Sequence, residues 1–218
     1  MIWDGDTPKG NQVRMHCRPD TSDQNICRLI SVRDEYNLGA SEFVGVAIDI
    51  GAHIGSVTVP LLIDNPGLHV VAIEPVPENL EVLRENVRLN EVGDRATVLP
   101  IAAGAEGMVP IEHGYRGWHR HVGNLGDGRA EHCENIMSMP FAAIRRTVGG
   151  TRIALLKIDC EGCEWEVLAD PDIWRAQVIV GEFHTPTQEE GFRRVRELIG
   201  GSHRVSFDEW TFRGVALK

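Results

Sequence analysis

The sequence has no long apolar run and no excess of positive charge. No stretch of its 218 residues is long and apolar enough to span a bilayer, and the first residues lack the basic and apolar regions of a signal peptide. The formal net charge is −10, whereas binding to a nucleic-acid backbone requires a basic surface. We therefore expect a cytoplasmic protein whose partners include neither a membrane nor a nucleic acid.

A disulfide framework is not indicated either. The five cysteines are odd in number and scattered along the chain, which favours reduced thiols over a disulfide framework. Cys160 and Cys163 form a C-x-x-C pair at a predicted strand-to-helix junction, where a helix N-terminus could lower the pKa of a thiol. The pair lacks the surroundings of a thioredoxin motif, so we expect neither redox nor metal chemistry there.

Regular periodicity is missing from residues 105–150, which we expect to form an irregular insertion. The segment is rich in glycine and contains four histidines, but none of their spacings is that of a familiar pair of zinc ligands. We therefore predict no metal site in this segment. We favour a loop or hairpin whose imidazoles face solvent or a substrate, with Trp118, His119 and His121 as candidate substrate contacts.

The clearest element of the chain is the stretch from Phe43 to Ser56. Its first half is an apolar run, rich in β-branched residues and too short for a buried helix, which predicts a strand covered on both faces. Gly51 and Gly55 then bracket a tight turn, and apolar residues recur at helical spacing from Ile54. The bare N–H groups of this helix would point into the crevice beyond the strand.

The glycine spacing indicates which ligand this turn suits. A pyrophosphate-binding dinucleotide fold has a second glycine two residues after the first, and His53 occupies that place. Asp49 ends the first strand, and Glu74 ends a second strand at the position where such folds hold ribose hydroxyls. Two acids without a pyrophosphate cradle favour an adenosine-bearing ligand with a positive centre, such as S-adenosylmethionine. The alternatives are a nicotinamide-dependent oxidoreductase, a non-catalytic cofactor-binding protein, and a structural turn in which Asp49 caps the helix.

Strands and helices alternate along the rest of the chain. Further strands are predicted over 69–73, 96–103, 153–158 and 177–183, helices over 77–90, 163–168 and 187–199, and a C-terminal antiparallel hairpin over 204–217. This order predicts an α/β fold with a doubly wound, mostly parallel sheet over 43–218, preceded by an N-terminal cap segment over 1–42. Five acids lie at predicted carboxyl ends of strands, where such sheets bind ligands: Asp49, Glu74, Asp159, Glu161 and Glu182.

Several motifs together resemble the FkbM-type S-adenosylmethionine-dependent methyltransferases. They cover most of the chain from Arg18 to His184, and their joint occurrence is more specific than any one of them. The motifs are D-I-G-A-H-I-G over 49–55, E-P over 74–75 with Asn79, Asn86 and Asn90, L-K-I-D-C-E-G over 156–162 with Glu164 and Leu168, E-F-H over 182–184, and T-S-D over 21–23 with Glu35 and Tyr36. The resemblance implies a Rossmann-like class I methyltransferase fold. It also implies, for most members, O-methylation of a small molecule such as a sugar or a product of secondary metabolism.

The resemblance further implies a cofactor site for S-adenosylmethionine. The residues expected to hold it are Glu35, Tyr36, Asp49, Gly51, Ala52, His53, Gly55, Ser56, Glu74, Pro75, Asn79, Ala102, Ala103, Asp159 and Glu161. We expect Arg18 and Asp23 at the acceptor, together with the aromatic and histidine contacts named above. The simplest local interpretation of Asp23 or Ser22 is an N-cap of the helix that follows.

Methyl transfer to an alcohol requires a base near the acceptor oxygen. We expect Asp159 or His184 to be this base, with Glu182 orienting the imidazole, whose ordinary pKa suits the role. Alternatively, Asp159, Glu161 and Glu182 would hold a magnesium ion that acts as a Lewis acid on the acceptor. The partner of the chain would be its small-molecule acceptor, and the chain could form a homodimer.

Overall fold

An N-terminal hairpin and one helix precede the main sheet in the computed structural model, which describes residues 1–112, 133–149 and 152–217. Strands β1 (Ile2–Asp6) and β2 (Gln12–His16) pair antiparallel as a two-stranded sheet. Helix α1 (Asp23–Arg33) follows them. The N-terminal segment therefore adds a small sheet beside the main domain, and α1 contributes to the rim of the crevice described below.

The main sheet of the described residues has seven strands, and five consecutive strands of it run parallel. The strands are β3 (Gly45–Ile50), β4 (Leu68–Ile73), β5 (Ala96–Leu99), β9 (Ile153–Ile158), β10 (Ala176–Glu182), β11 (His203–Asp208) and β12 (Thr211–Ala216), in the order β11-β12-β10-β9-β3-β4-β5. The final hairpin is antiparallel and joins the sheet at β10. The direction of winding reverses between β3 and β9, so a crevice opens at their carboxyl ends. The predicted doubly wound sheet with a C-terminal hairpin is confirmed.

Helices cover both faces of this sheet. They are α2 (Thr58–Asp64), α3 (Pro77–Leu89), α4 (Phe141–Thr147), α5 (Glu164–Leu168) and α6 (Gln188–Ile199). Neighbouring residues of a strand point to opposite faces, so Ala47 and Leu155 belong to one buried apolar cluster, and Ile48 and Leu156 to the other. Both faces are covered, which explains the near-continuous apolar runs. None of the described helices is long and apolar enough to cross a membrane.

Helix α2 begins at Thr58, later than the predicted start at Ile54. His53 and Gly55 have left-handed backbone angles, with φ of 51° and 87°, which a right-handed helix does not accept. Ile54 is nevertheless fully buried. The apolar spacing that resembled a helix there reflects the packing of a turn against the core.

The strand predicted over 96–103 is divided between two sheets. Strand β5 ends at Leu99, and the proline that follows it cannot donate a ladder hydrogen bond. The chain then enters a separate three-stranded sheet, in the order β6-β8-β7. Its strands are β6 (Ala102–Ala103), β7 (Gly107–Glu112) and β8 (Cys133–Met139).

The segment over 105–150 is therefore not irregular throughout. Strands β7 and β8 pair antiparallel and α4 follows them, so the expectation of an irregular insertion is wrong for the two ends of this segment. Their antiparallel pairing agrees with the hairpin that was one expectation for this segment, but β7, rich in Met, Pro and Gly, shows no clear alternation from which its bounds could be predicted. The predicted substrate contacts Trp118, His119 and His121 lie outside the described residues.

The cysteines are not all reduced. Cys160 and Cys163 form a disulfide with their Cα atoms 5.6 Å apart, so the expectation of free thiols is wrong for this pair. Between them, Glu161 and Gly162 have φ of 54° and 128°, and this left-handed backbone turns the chain back sharply after β9. The turn brings the two sulfur atoms together. The reduced and buried cysteines of the described residues are Cys17 and Cys27.

Asn86 fixes the N-terminal hairpin to helix α3. Its fully buried side chain accepts a hydrogen bond from the backbone N–H of His16 at 2.5 Å and donates to the carbonyl oxygens of His16 and Ile54 at 3.1 Å and 2.8 Å. One amide thus satisfies backbone groups of β2 and of the glycine turn. Asn90, at the end of the same helix, makes a similar pair of bonds with Arg14 nearer the solvent.

We expect Asn86→Ala to lower the free energy of unfolding by about 2–4 kcal/mol, because it leaves buried groups of His16 and Ile54 without partners. Asn90→Ala should cost less than about 1 kcal/mol, since water can replace its bonds. Denaturant unfolding of the two variants measures the difference. Equal losses in the two variants would contradict an anchoring role for Asn86.

Candidate functional site

A cavity of about 440 Å³ opens at the carboxyl ends of β3, β4, β9 and β10. Its volume is that of a small-molecule site. Most of the predicted cofactor contacts line it: Glu35, Tyr36, Gly51, His53, Ser56, Glu74, Pro75, Asn79, Ala102, Ala103, Asp159 and Glu161. The predicted acceptor contacts Arg18 and Asp23 also line it, and so does Glu182. Residues far apart in the sequence therefore meet at one edge of the sheet.

Four described residues that we expected at the site do not line the cavity: Asp49, Ala52, Gly55 and His184. Asp49 is buried below the floor, where its Oδ2 accepts a hydrogen bond from Thr58 Oγ1 at 2.7 Å. This corrects the expectation that Asp49 contacts the cofactor. Asp49 contributes to the site indirectly, by holding Thr58 and Lys157 in place.

Gly51 forms the floor between β3 and β9. Its φ is 78°, and a Cβ atom there would lie 1.7 Å from the backbone oxygen of Asp159. Any other residue would push the two strand ends apart. This close approach is why the turn after β3 and the acids after β9 face the same cavity.

Lys157 is a central residue that the sequence interpretation missed. Its buried ammonium lies 3.3 Å from Asp49 Oδ1 and 3.6 Å from Asp159 Oδ2, and it donates to the carbonyl oxygen of Gly51 at 2.7 Å. Burial disfavours the charged ammonium, but the two carboxylates outweigh this and raise the pKa of Lys157. A lysine inside the otherwise apolar strand β9 was the available signal, because a buried charge needs a partner.

Glu74 ends β4 with both carboxylate oxygens anchored. Oε2 accepts a hydrogen bond from the backbone N–H of His53 at 2.8 Å, and Oε1 accepts from the backbone N–H of Val76 at 2.9 Å and the side-chain amide of Asn79 at 3.1 Å. Burial nevertheless raises the pKa of Glu74. Each carboxylate oxygen can accept two hydrogen bonds, so Glu74 is rigidly oriented and its Oε2 retains acceptor capacity for one hydroxyl group.

Three further acids line the cavity together: Glu35, Asp159 and Glu182. Burial and the negative charges of Asp159 and Glu35 raise the pKa of Glu182 to about 8. Burial and Asp159 also raise the pKa of Glu35. Tyr36 donates its hydroxyl to Asp159 Oδ2 at 3.1 Å. Because the acids oppose each other's ionisation, a cation placed among them would be stabilised.

His184 is held mainly by acids other than Glu182. Nδ1 lies 2.8 Å from Glu164 Oε1, while Nε2 lies 3.2 Å from Glu161 Oε2 and 3.9 Å from Glu182 Oε2. The hydrogen bond with the buried Glu164 raises the pKa of His184 to about 9. This raised pKa favours the protonated imidazole at neutral pH and argues against the expected histidine base. Glu164 and Glu161 contact the ring more closely than Glu182, which was expected to orient it.

Among the described residues, one group of metal-ligand side chains comes together, and it differs from the predicted set. Ligand atoms of Asp159, Glu182 and His184 lie within 4.8 Å of one another. The expected magnesium ligands were Asp159, Glu161 and Glu182, but Glu161 contacts the imidazole. An imidazole ligand suits a transition metal better than magnesium.

Arg18, Asp23 and His53 form a polar cluster on the cavity wall. Asp23 is fully buried and accepts hydrogen bonds at 2.9 Å from the backbone N–H, Nε and Nη2 of Arg18. These contacts hold the pKa of Asp23 below its usual value despite burial. Burial lowers the pKa of His53, whose Nε2 lies 3.3 Å from Arg18 Nη2, to about 4, so this imidazole is neutral. Ser22 is the N-cap residue of α1, as one of the two alternatives had it, although its side chain makes no cap hydrogen bond, and Asp23 serves this cluster instead.

Comparisons with known proteins agree with this architecture. A family model described as the methyltransferase FkbM domain matches residues 49–213. The chain is similar to the solved structure of an FkbM methyltransferase from Methylobacillus flagellatus KT, with a TM-score of 0.55 and 19% identity over 80% of this chain and 44% of that one. It is also similar to precorrin-6y C5,15-methyltransferase from Geobacter metallireducens GS-15, with a TM-score of 0.49 and 14% identity over 93% of this chain and 92% of that one. This chain thus spans less than half the length of the Methylobacillus protein. The comparison with curated protein sequences gave no match.

His184 should titrate with a pKa near 9 in the metal-free protein, because the carboxylate of Glu164 stabilises the imidazolium. Glu164→Gln removes that negative charge and should lower the pKa of His184 toward 6.5. NMR titration of the histidine rings, with a chelator present, measures both values. His203, whose pKa burial lowers, is the internal reference and should not respond. A wild-type His184 that titrates near 6.5 would restore it as a candidate base.

Proposed function

The chain belongs to the FkbM family of methyltransferases, and from this premise we propose that it transfers the methyl group of S-adenosylmethionine to a hydroxyl group of a small molecule. The observation that carries the proposal is the anchored carboxylate of Glu74 in the cavity. An acid at the end of the second parallel strand is where this class of fold binds ribose hydroxyls.

The cavity suits S-adenosylmethionine better than a nicotinamide dinucleotide. A sulfonium would relieve the mutual repulsion of the acids, which together with burial raises the pKa of Glu182. A pyrophosphate would need free backbone N–H groups at the glycine turn, but His53 stands where the second glycine would be, and its N–H is bonded to Glu74. Ala102 and Ala103 have small side chains at the cavity wall, which leaves room for a flat adenine ring.

The chain's own residues would position the acceptor and remove its proton. S-adenosylmethionine supplies an electrophilic methyl group, and the protein must hold the acceptor oxygen close to it and in line. Asp159 and Glu182 have side chains that are 27% and 28% exposed, so both can meet a hydroxyl in the cavity. We assign the removal of the hydroxyl proton to this pair, with Glu182 able to accept it once a sulfonium bound nearby lowers its raised pKa. Tyr36 and Lys157 hold Asp159 in place.

A small acceptor, such as a sugar or another natural product, fits the size of the cavity. The net charge of −10 favours such an acceptor over a nucleic acid. The cytoplasmic location and the homodimer stay predictions.

Glu74→Gln should weaken the binding of S-adenosylhomocysteine by about 10- to 100-fold, because a neutral amide replaces a charge-assisted acceptor of a ribose hydroxyl. Isothermal titration calorimetry measures the dissociation constants. Glu81→Gln, on an exposed position of α3, is the matched control and should bind as the wild type does. The proposed function fails if the wild-type chain does not bind this nucleoside.

Asp159→Asn and Glu182→Gln should each reduce kcat by about 10²- to 10⁴-fold, because each removes a carboxylate that accepts the hydroxyl proton. The Kd of S-adenosylhomocysteine should change by only a few-fold, on the order of 1 kcal/mol or less. Transfer of labelled methyl groups to a panel of sugars and polyketide alcohols provides the assay. Glu189→Gln, on an exposed position of α6, controls for the loss of one acid. Undiminished turnover in both site variants would remove the pair from the mechanism.

A metal-assisted form of the same transfer is the second candidate, because Asp159, Glu182 and His184 bring their ligand atoms within 4.8 Å of one another. These residues would hold a divalent ion, whose chemistry would be that of a Lewis acid on the acceptor oxygen. The methyl-transfer assay after exhaustive chelation separates the two candidates. Activity that survives chelation excludes the metal, and activity that is lost and then restored by Mn²⁺ or Mg²⁺ supports it.

A further inference from the structure

One cationic side chain of the cavity has a hydrogen-bond donor group that no described residue accepts from. Among the described residues that line the cavity, the charged cations are Lys157 and Arg18, since His53 is neutral. Lys157 is fully engaged by two carboxylates and by the carbonyl oxygens of the glycine turn. Arg18 uses its backbone N–H, Nε and Nη2 on Asp23, and its Nη1 has no hydrogen-bond partner in the described part of the chain. Arg18 is therefore the cation that remains available to a ligand.

We propose that Arg18 binds the carboxylate of the methionine part of S-adenosylmethionine, an inference that rests on the function proposed above. The donor carries one carboxylate, and the acids that line the cavity would repel it. Arginine presents its donors in a fixed planar fork that matches a carboxylate. The guanidinium of Arg18 thus offers the attraction that this part of the donor requires.

The position of Arg18 places it beside the ribose anchor. His53 connects the two, because its backbone N–H binds Glu74 at 2.8 Å and its ring nitrogen lies 3.3 Å from Arg18 Nη2. Asp159 and Glu182, which we assign to the acceptor hydroxyl, end the strands β9 and β10. A donor whose ribose binds Glu74 can therefore reach Arg18 with its amino-acid end, while its methyl group faces the acids.

Asp23 is the positioning residue for this guanidinium. It is fully buried, it lies behind Arg18, and its two oxygens take the Nε and Nη2 donors at 2.9 Å. A side chain that is already held in its bound conformation loses less entropy when the ligand arrives. The proposal moves both residues from the acceptor, where we expected them, to the donor: Arg18 binds the carboxylate and Asp23 acts through Arg18.

The experiment compares two nucleosides that differ in the amino-acid part. S-adenosylhomocysteine has the carboxylate, whereas 5′-methylthioadenosine retains the adenine and ribose but lacks it. Arg18→Gln should weaken the first by about 10- to 100-fold and the second by less than about twofold. Isothermal titration calorimetry of the full chain measures all four dissociation constants. Arg28→Gln, exposed on α1, controls for the loss of one positive charge and should change neither.

A second variant protects the experiment against loss of the fold. Arg18→Gln leaves Asp23 buried without a cation, which can destabilise the protein. The double variant Arg18→Gln/Asp23→Asn removes both charges and keeps hydrogen-bonding side chains at both positions. It should show the same selective loss of S-adenosylhomocysteine binding.

The outcomes separate this inference from the proposed function. Unchanged binding of S-adenosylhomocysteine, or equal weakening of both nucleosides in the double variant, overturns the role of Arg18 while the proposed function stands. A wild-type chain that binds 5′-methylthioadenosine as tightly as S-adenosylhomocysteine also overturns it. A wild-type chain that binds neither nucleoside overturns the proposed function, and the carboxylate site falls with it.

Discussion

The structure depends on a buried ammonium group at the place where the sheet reverses its winding. Lys157 on β9 contacts Asp49 on β3, the carbonyl oxygen of Gly51 and the carboxylate of Asp159. One charge thus holds together two neighbouring strands and the glycine turn that follows β3. Removing one partner of a buried ion pair typically costs about 3–5 kcal/mol, because the other charge is left in a medium that solvates it poorly. Lys157 therefore stabilises both the floor of the cavity at Gly51 and the carboxylate of Asp159 that lines it.

The charges of the cavity follow from this arrangement. Lys157 neutralises Asp49, which lies below the floor of the cavity. The acids that line the cavity are others, among them Glu35, Asp159 and Glu182. Burial and their repulsion raise the pKa of Glu182, while the hydrogen bond with Glu164 raises the pKa of His184. Arg18 supplies positive charge at the wall formed by the N-terminal segment. A ligand with both a cationic centre and a carboxylate would find a complementary group for each.

The fold could be predicted from local patterns because those patterns report burial. Apolar runs of strand length and helices between them are sufficient to indicate a doubly wound sheet, and acids at the ends of parallel strands must meet at one edge. The pairing of β6 after Leu99 could not be predicted, because Ala102 pairs with Ser138, 36 residues away, and sequence periodicity reports only local structure. The pKa of His184 was missed for a similar reason, since it depends on Glu164, a residue of another element. Lys157 stands out in the sequence as a charged residue within an apolar strand. Its role becomes clear only from the positions of Asp49 and Asp159 in the fold.

The disulfide beside Asp159 has a consequence for how the protein is handled. Cys160 and Cys163 are only three positions apart, so the bond restricts little of the unfolded chain and acts on the local backbone instead. It closes the turn that carries Glu161, directly beside the cavity. Cell interiors that keep thiols reduced would open this ring, whereas air would keep it closed. A sample purified with dithiothreitol and one purified without it therefore present two different loops, and their affinities should be compared only within one redox state.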